Sequence, residues 1–128
     1  MNYLLLIKSS PTSAAALNAY RFAETLIQCG HRIERLFFYG DGVLTANCLN
    51  CPPQDEFHLY EAWETLIYAN KLSATVCIAS AIRRGLLDDE EAARYAKPCA
   101  NLQHPFVLGG LGELVEASSR ADRLLTFH

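Results

Sequence analysis

The sequence contains no long apolar run. No stretch approaches the roughly 18 consecutive apolar residues that a membrane-spanning helix requires. The apolar start, Met1 to Ile7, is too short for the core of a signal peptide and has no basic leader. We therefore expect a soluble, cytoplasmic protein in which this segment forms the first strand.

An excess of basic side chains is also missing. The 11 Lys and Arg residues and the 14 Asp and Glu residues give a formal net charge of -3. Surfaces that bind nucleic acids or anionic membranes are rich in basic side chains. The charge balance therefore argues against direct binding of either, and any link to RNA must be indirect.

The cysteines do not form a recognisable disulfide or metal-binding pattern. Five cysteines are an odd set, and 128 residues can bury a core without disulfides, so free thiols are predicted. Cys48 and Cys51 have the CxxC spacing of a redox dithiol or of half a zinc site, but Pro52 and Pro53 prevent a helix from starting at Cys48. Three other possible ligands lack paired spacing: His58, Cys99 and His104. We interpret Cys48 and Cys51 as loop cysteines without a particular role, and we predict no metal and no cofactor.

The sequence does contain alternating apolar runs and segments of helical periodicity. Hydrophobic residues make up 51% of the chain and charged residues 20%, which is typical of a globular protein. The predicted strands are Tyr3 to Ile7, Ile33 to Tyr39, Leu72 to Cys77, Phe106 to Leu108 and Arg123 to Phe127. Parallel strands need crossover connections, and helices supply them. We predict one α/β domain, residues 1–128, whose parallel sheet of about five strands is covered by helices on both faces.

Capping residues predict where the helices begin and end. Ser10 is the predicted N-cap of the first helix, with Pro11 in its first turn. Cys29 lies at the end of that helix and is interpreted as a core residue. The second helix is predicted from near Asp55 to near Asn70, and a capping box that begins at Asp88 predicts a third.

Two further segments have features of possible functional interest. Val43 to Pro53 is rich in turn residues and is predicted as the longest loop, with room for one helical turn. Gly109 to Gly112 precedes the last helix and could either cradle an anion or form a tight turn. The predicted inner face of that last helix consists of Leu111, Leu114, Val115 and Ser118.

Cys77 is the cysteine best placed for chemistry. It ends an apolar run, and Arg83 and Arg84 follow closely in sequence. Open α/β sheets bind ligands beyond the carboxyl ends of their strands, and the pKa of a thiol falls near a helix N-terminus or basic side chains. On local sequence two interpretations stay open: a nucleophilic thiolate, and a small buried hydrophobic residue, which is the commoner role of a free cysteine.

Several segments form a wider pattern when taken together. They are Phe37 to Val43 with Ala46 and Asn47; Asp55 to Phe57 with Trp63; Val76 to Gly85; and Asn101 to Gln103, followed by Phe106, Gly110 to Gly112, Glu116 to Ser118 and Asp122 to Arg123. In their order and spacing they resemble the TusD and DsrE branch of the DsrE/DsrF-like sulfur-relay proteins. The resemblance extends over nearly the whole chain.

The resemblance implies a Rossmann-like three-layer α/β/α fold and a cytoplasmic sulfurtransferase subunit. It implies that Cys77 carries sulfur as a persulfide, accepted from a TusA-like donor and passed to a TusE-like (DsrC-like) acceptor. It also implies a heterohexamer with TusB-like and TusC-like subunits, or with DsrF-like and DsrH-like subunits. The pathway would end in 2-thiolation of the tRNA wobble uridine or, for a DsrE-type protein, in sulfur oxidation.

Two alternatives from other functional classes remain at this point. One is a non-catalytic structural subunit of such a complex. The other is a flavodoxin-like module that binds a small ligand with its glycine loops, Gly40 to Gly42 or Gly109 to Gly112.

Overall fold

The computed structural model describes all 128 residues. Its strands are β1 (Asn2–Ile7), β2 (Arg32–Phe38), β3 (Ala74–Cys77), β4 (Phe106–Gly109) and β5 (Arg123–Phe127). Its α-helices are α1 (Ala14–Gln28), α2 (Leu59–Asn70), α3 (Ile78–Arg83), α4 (Asp89–Arg94) and α5 (Leu111–Arg120). A 3-10 helix, Gly40–Ala46, follows β2.

The five strands form a single sheet in the order β4-β3-β2-β1-β5, and every neighbouring pair is parallel. From β1 to β4 each new strand is added at the same edge of the sheet, and β5 then pairs with the other edge of β1. Because parallel crossovers are right-handed, α1 and α2 cover one face of the sheet and α5 covers the other. The predicted α/β fold with a parallel sheet is confirmed.

The hydrophobic core lies along the central strands. Leu4 and Leu5 of β1 are fully buried although they point to opposite faces, as expected for a central strand of a parallel sheet. On the α2 side, Trp63 packs edge-on against Phe38, with ring centroids 5.8 Å apart. This aromatic packing holds α2 against the sheet.

The first helix begins later than the sequence predicts. Ser13 is the N-cap, and its Oγ accepts the N–H of Ala16 at 3.3 Å. The carbonyl of Ser10 accepts the N–H of Ser13 at 2.9 Å, which closes a turn over Pro11 and Thr12. The prediction of Ser10 as N-cap is therefore wrong, because this turn stands between it and the helix.

Two other element starts also differ from the prediction. The second helix begins at Leu59 and not near Asp55, because the imidazole Nδ1 of His58 accepts the N–H of Glu61 at 3.3 Å and caps the helix there. Strand β3 begins at Ala74, two residues after the predicted start. The N-cap at Asp88 is confirmed.

Cys29 and the predicted long loop need correction as well. Cys29 is the exposed C-cap of α1 and not a core residue. The buried side of α1 ends at Leu26, and one turn later the chain has left the core. The predicted loop Val43 to Pro53 overlaps the 3-10 helix, which begins earlier, at Gly40.

The inner face of α5 differs from the predicted one. Leu111 and Val115 are exposed, at 51% and 68% of their surface, whereas Ala117 is fully buried and Leu114 is half-buried. Small residues on the packed side let the helix lie close to the sheet. The apolar side chains of Leu111 and Val115, which are four residues apart on one helix face, therefore point away from it.

Candidate active site

Cys77 lies where the sequence places it, at the carboxyl end of a strand. It is the last residue of β3, pairs with Gly109 of β4 and is the N-cap of α3. Its side chain belongs to the hydrophobic cluster, and only 2% of the residue is exposed. The position is the one at which open α/β sheets hold their ligands, but the thiol is covered.

The 3-10 helix after β2 packs against both β3 and α3. Two contacts hold it to α3. The backbone N–H of Gly40 donates to Ser80 Oγ at 3.1 Å, and Arg84 Nε donates to Asp41 Oδ1 at 3.0 Å. The 3-10 helix is therefore attached to α3 by these two polar contacts.

The two arginines after Cys77 have different surroundings. Besides its ion pair with Asp41, Arg84 donates from Nη1 to the carbonyl of Ser80 at 3.1 Å, which ties it to its own helix. Arg83 is exposed. Arg84 therefore has a structural role that links two segments, and Arg83 is left available on the surface.

A close approach of two backbone segments fixes the position of the 3-10 helix. A Cβ built on Gly42 would collide with the backbone carbonyl of Ile7, at the end of β1. Gly42 is buried, so a side chain there has no space. The absence of a side chain lets the segment lie directly over the carboxyl ends of the central strands.

The remaining cysteines do not join Cys77 in one site. Cys48 is half-buried and Cys51 is exposed, with its Sγ 3.3 Å from the carbonyl oxygen of Leu49. Cys99 is exposed. No group of three or more His, Cys, Asp or Glu side chains is arranged to hold a metal ion.

The glycine loop before α5 is partly filled by a side chain of its own helix. A Cβ on Gly109 would collide with the Glu113 carboxylate. That carboxylate also lies 3.6 Å from Arg35, whose Nη1 donates to Thr75 Oγ1 at 2.6 Å. A carboxylate packed here disfavours the anion cradle considered for Gly109 to Gly112, and the tight-turn interpretation fits better.

A family model described as the DsrE/DsrF-like family matches residues 1–127. The chain belongs to the DsrE/DsrF-like family. The match includes all the segments that carry the sequence resemblance.

Curated relatives support the same family. The chain is 50% identical over 127 residues to a protein of Pseudomonas aeruginosa named "Sulfurtransferase TusD homolog", covering 99% of this chain and 97% of that one. It is 47% identical over 112 residues to the sulfurtransferase TusD of Serratia proteamaculans, covering 88% and 87%. It is 42% identical over 128 residues to the putative sulfurtransferase DsrE of Allochromatium vinosum, covering 99% and 98%.

A solved structure has the same fold. The crystal structure of the ychN protein from E. coli matches with a TM-score of 0.72 and 19% sequence identity, covering 99% of this chain and all of that one. At this identity the likeness concerns the fold alone. It supports the sheet order and the layer arrangement described above for this member of the family.

Sequence reasoning missed the partners that hold the 3-10 helix. Asp41 and Arg84 are 43 residues apart in sequence, and nothing in their spacing indicates an ion pair. Ser80 lies inside the motif around Cys77, but its bond to Gly40 depends on how the two loops meet. These contacts can be predicted only when the strand order, which places β2 beside β3, is known.

Among the helices, none has the length and apolar character needed to cross a bilayer.

Proposed function

We propose that this chain is a sulfurtransferase subunit that carries sulfur as a persulfide on Cys77. The single observation that carries the proposal is the position of this cysteine at the carboxyl end of β3 and at the start of α3. The three relatives described above, at 42% to 50% identity, all bear the name sulfurtransferase, and they support a sulfurtransferase role.

The reaction requires one nucleophilic sulfur and two docking partners in turn. The thiolate of Cys77 attacks the outer sulfur of a persulfide on a TusA-like donor; the donor's S–S bond breaks and the donor leaves as a thiolate. A thiolate on a TusE-like acceptor then attacks the outer sulfur on Cys77, and Cys77 is released as a thiolate. Each step exchanges one S–S bond for another, so no external oxidant or reductant is consumed.

Burial of Cys77 adds a requirement to this mechanism. A thiol in a residue that is 2% exposed cannot receive sulfur from another protein without local opening. The 3-10 helix packs against β3 and α3, and its hydrogen bonds to α3 are those of Gly40 and Asp41. In our proposal a docked carrier displaces this segment, and its return protects the persulfide from oxidants that would drive the sulfur to irreversible states.

The proposed destination of the sulfur is 2-thiolation of the tRNA wobble uridine. Two of the relatives named above, at 50% and 47% identity, bear the TusD name. The relative at 42% bears the DsrE name and favours the second candidate, a subunit of dissimilatory sulfur oxidation. Both candidates use the same transfer at Cys77 and differ in the carrier that accepts the sulfur.

We also propose assembly with related subunits, TusB-like and TusC-like or DsrF-like and DsrH-like, in a heterohexamer. The exposed apolar side chains of Leu111 and Val115 on α5 support an interface. Large apolar side chains next to each other on an exposed helix face are typical of protein–protein contacts. We further propose that residues 1–128 form one domain and that the protein works in the cytoplasm.

A sulfur-transfer assay with single-cysteine variants tests the proposed role. Cys77→Ser and Cys77→Ala should abolish transfer from a persulfidated TusA-like donor to a TusE-like acceptor, because the only attacking sulfur is removed. Cys51→Ser, which changes an exposed thiol, is the matched control and should transfer at the normal rate. Melting curves establish that each variant is folded. A folded Cys77→Ala protein with normal transfer would refute the proposal.

A further inference from the structure

A cavity of about 720 Å³ lies beside the 3-10 helix, at the same edge of the sheet as Cys77 but without contact to it. Its walls are the turn that precedes α1, the first turn of α1, Thr45 and most of the segment from Asn50 to Tyr60 that leads into α2. Pockets of 300 to 1,000 Å³ are of the size that holds a small organic ligand. The proposed sulfur transfer does not use this cavity.

Two helices begin at the wall of this cavity. The first residue of α1, Ala14, and the first two of α2, Leu59 and Tyr60, are among its lining residues. The first N–H groups of a helix have no acceptor within the helix. In α1 the Ser13 hydroxyl caps only the N–H of Ala16, so the N–H of Ala14 remains a free donor. Helix N-termini attract negative charge.

Thr45 gives independent evidence for a ligand. This residue of the 3-10 helix is 1% exposed and lines the cavity, and its Oγ1 makes no hydrogen bond within the protein. Buried hydroxyl groups are nearly always paired. A hydroxyl left unpaired in the wall of a cavity is explained if a ligand in the cavity is its partner.

The charges around the cavity indicate what kind of ligand fits. The first turn of α1 has no acidic residue, and the one acidic side chain of the lining, Glu56, is exposed to solvent. Burial raises the pKa of Tyr60, and the nearby Glu64 carboxylate adds to this rise, so Tyr60 is neutral at neutral pH. No Lys or Arg lines the cavity. The one imidazole of the lining, His58, is engaged with its own helix, since its Nδ1 accepts the N–H of Glu61 and its Nε2 lies 3.8 Å from the Glu61 carboxylate. A bound anion would therefore be held by N–H and hydroxyl donors and not by an ion pair.

We propose that this cavity binds a small molecule through an oxyanion group, which accepts hydrogen bonds from the N–H groups that begin α1 and from the Thr45 hydroxyl. The group is a carboxylate, a phosphate or a sulfur oxyanion, since all three present the same acceptor oxygens. The apolar part of the lining, which includes Leu17 and Phe57, would hold the remainder of a larger ligand. Glu56 opposes binding through its charge.

The proposal is tested by NMR titration of the full chain with acetate, inorganic phosphate and thiosulfate, each compared with chloride at equal ionic strength. At least one anion should shift the amide resonances of Ala14 and Ala15 in a saturable way, and the strongest of the three identifies the chemical class. Thr45→Val should weaken binding about tenfold through loss of a hydrogen bond to a charged group. Glu56→Gln should strengthen it.

Two control variants make the result decisive. Thr126→Val alters an exposed threonine of β5 that does not line the cavity, and this variant should bind normally. Thr45→Ser keeps the hydroxyl and should also bind, which separates loss of the hydrogen bond from a general disturbance of the 3-10 helix. No saturable shift with any of the three anions, or equal binding by Thr45→Val, would overturn the proposal.

Discussion

Arg84 Nε lies 3.0 Å from Asp41 Oδ1, and this ion pair connects the helix that follows Cys77 to the 3-10 helix after β2. Its two side chains are 30% and 64% exposed. Partly exposed pairs of this kind contribute about 0 to 1 kcal/mol. In the proposed mechanism this contact favours the closed arrangement only slightly, and a docking carrier protein can break it.

Asp41→Asn should make Cys77 more reactive. Loss of the ion pair favours opening of the 3-10 helix, and the rate at which a small alkylating reagent modifies Cys77 should rise roughly two- to fivefold. The measurement is peptide-resolved mass spectrometry of the folded protein after timed alkylation.

The matched control for this prediction is Glu90→Gln. It removes a carboxylate from another exposed pair, with Arg94 at 3.9 Å on α4, and should leave the rate at Cys77 unchanged. Equal rates for Asp41→Asn and the unmodified protein would show that the ion pair does not restrict access to the thiol.

Gly42→Ala should destabilise the protein and displace the 3-10 helix. The new Cβ would collide with the Ile7 carbonyl, which belongs to the backbone of a central strand and cannot move aside. Overpacking of this kind costs about 1 to 3 kcal/mol. Urea unfolding measures the loss, and Cys77 alkylation should accelerate in the same variant.

Gly112→Ala provides the comparison for Gly42→Ala. A Cβ at Gly112 meets no atom within 4 Å, and alanine is favoured over glycine in a helix by about 0.5 kcal/mol or more. This variant should be at least as stable as the unmodified protein. A Gly42→Ala protein of equal stability would mean that the backbone approach at Ile7 is not tight.

Val115→Asp should prevent assembly with the related subunits without unfolding the chain. Val115 is 68% exposed, so the substitution should change the free energy of unfolding by no more than about 0.5 kcal/mol. A buried charge in an interface is far more costly. Light scattering coupled to size-exclusion chromatography, after co-expression with the TusB-like and TusC-like proteins, measures the mass of the complex.

Asn18→Asp is the control for this surface. Asn18 is exposed on α1, on the opposite face of the sheet from α5, and the substitution also introduces one carboxylate. It should leave the complex intact. A complex of full mass with Val115→Asp would place the interface elsewhere on the molecule.

Much of the sheet and the position of Cys77 could be predicted from the sequence. An apolar run that ends in a cysteine and continues as a helix is a local pattern. Such a pattern predicts a strand correctly when the strand is buried on both faces. Val76, directly before Cys77, is fully buried in β3. The likeness to the family implies a role for the thiol, which local sequence left open, and that role stays a prediction.

Local sequence leaves burial of Cys77 open as one of two interpretations, but the surroundings of the thiol could not be predicted. They depend on strand order, which brings the loop after β2 against α3, and on the absence of a side chain at Gly42. Neither Asp41 nor Thr45 has a local signal for its role. Asp41 pairs with Arg84, which is 43 residues away, and the cavity beside Thr45 includes the first turn of α1, so the pattern around each residue contains no information about its role.

The orientation of α5 could not be predicted from the sequence for a different reason. The sequence offers two possible packing faces on one helix, an apolar one with Leu111 and Val115 and a smaller one with Ala117. The structure packs the smaller face on the sheet, where Glu113 reaches Arg35 across the layer. A periodic pattern identifies a helix but does not determine which face meets the sheet when both contain apolar residues.

The most direct test of the central claim is to locate the sulfur after loading. The full chain is incubated with a persulfidated TusA-like donor, trapped by alkylation and digested, and each cysteine-containing peptide is weighed by mass spectrometry. We predict one additional sulfur atom on the peptide with Cys77. Reproducible loading of Cys51 or Cys99 with Cys77 unmodified would contradict the account.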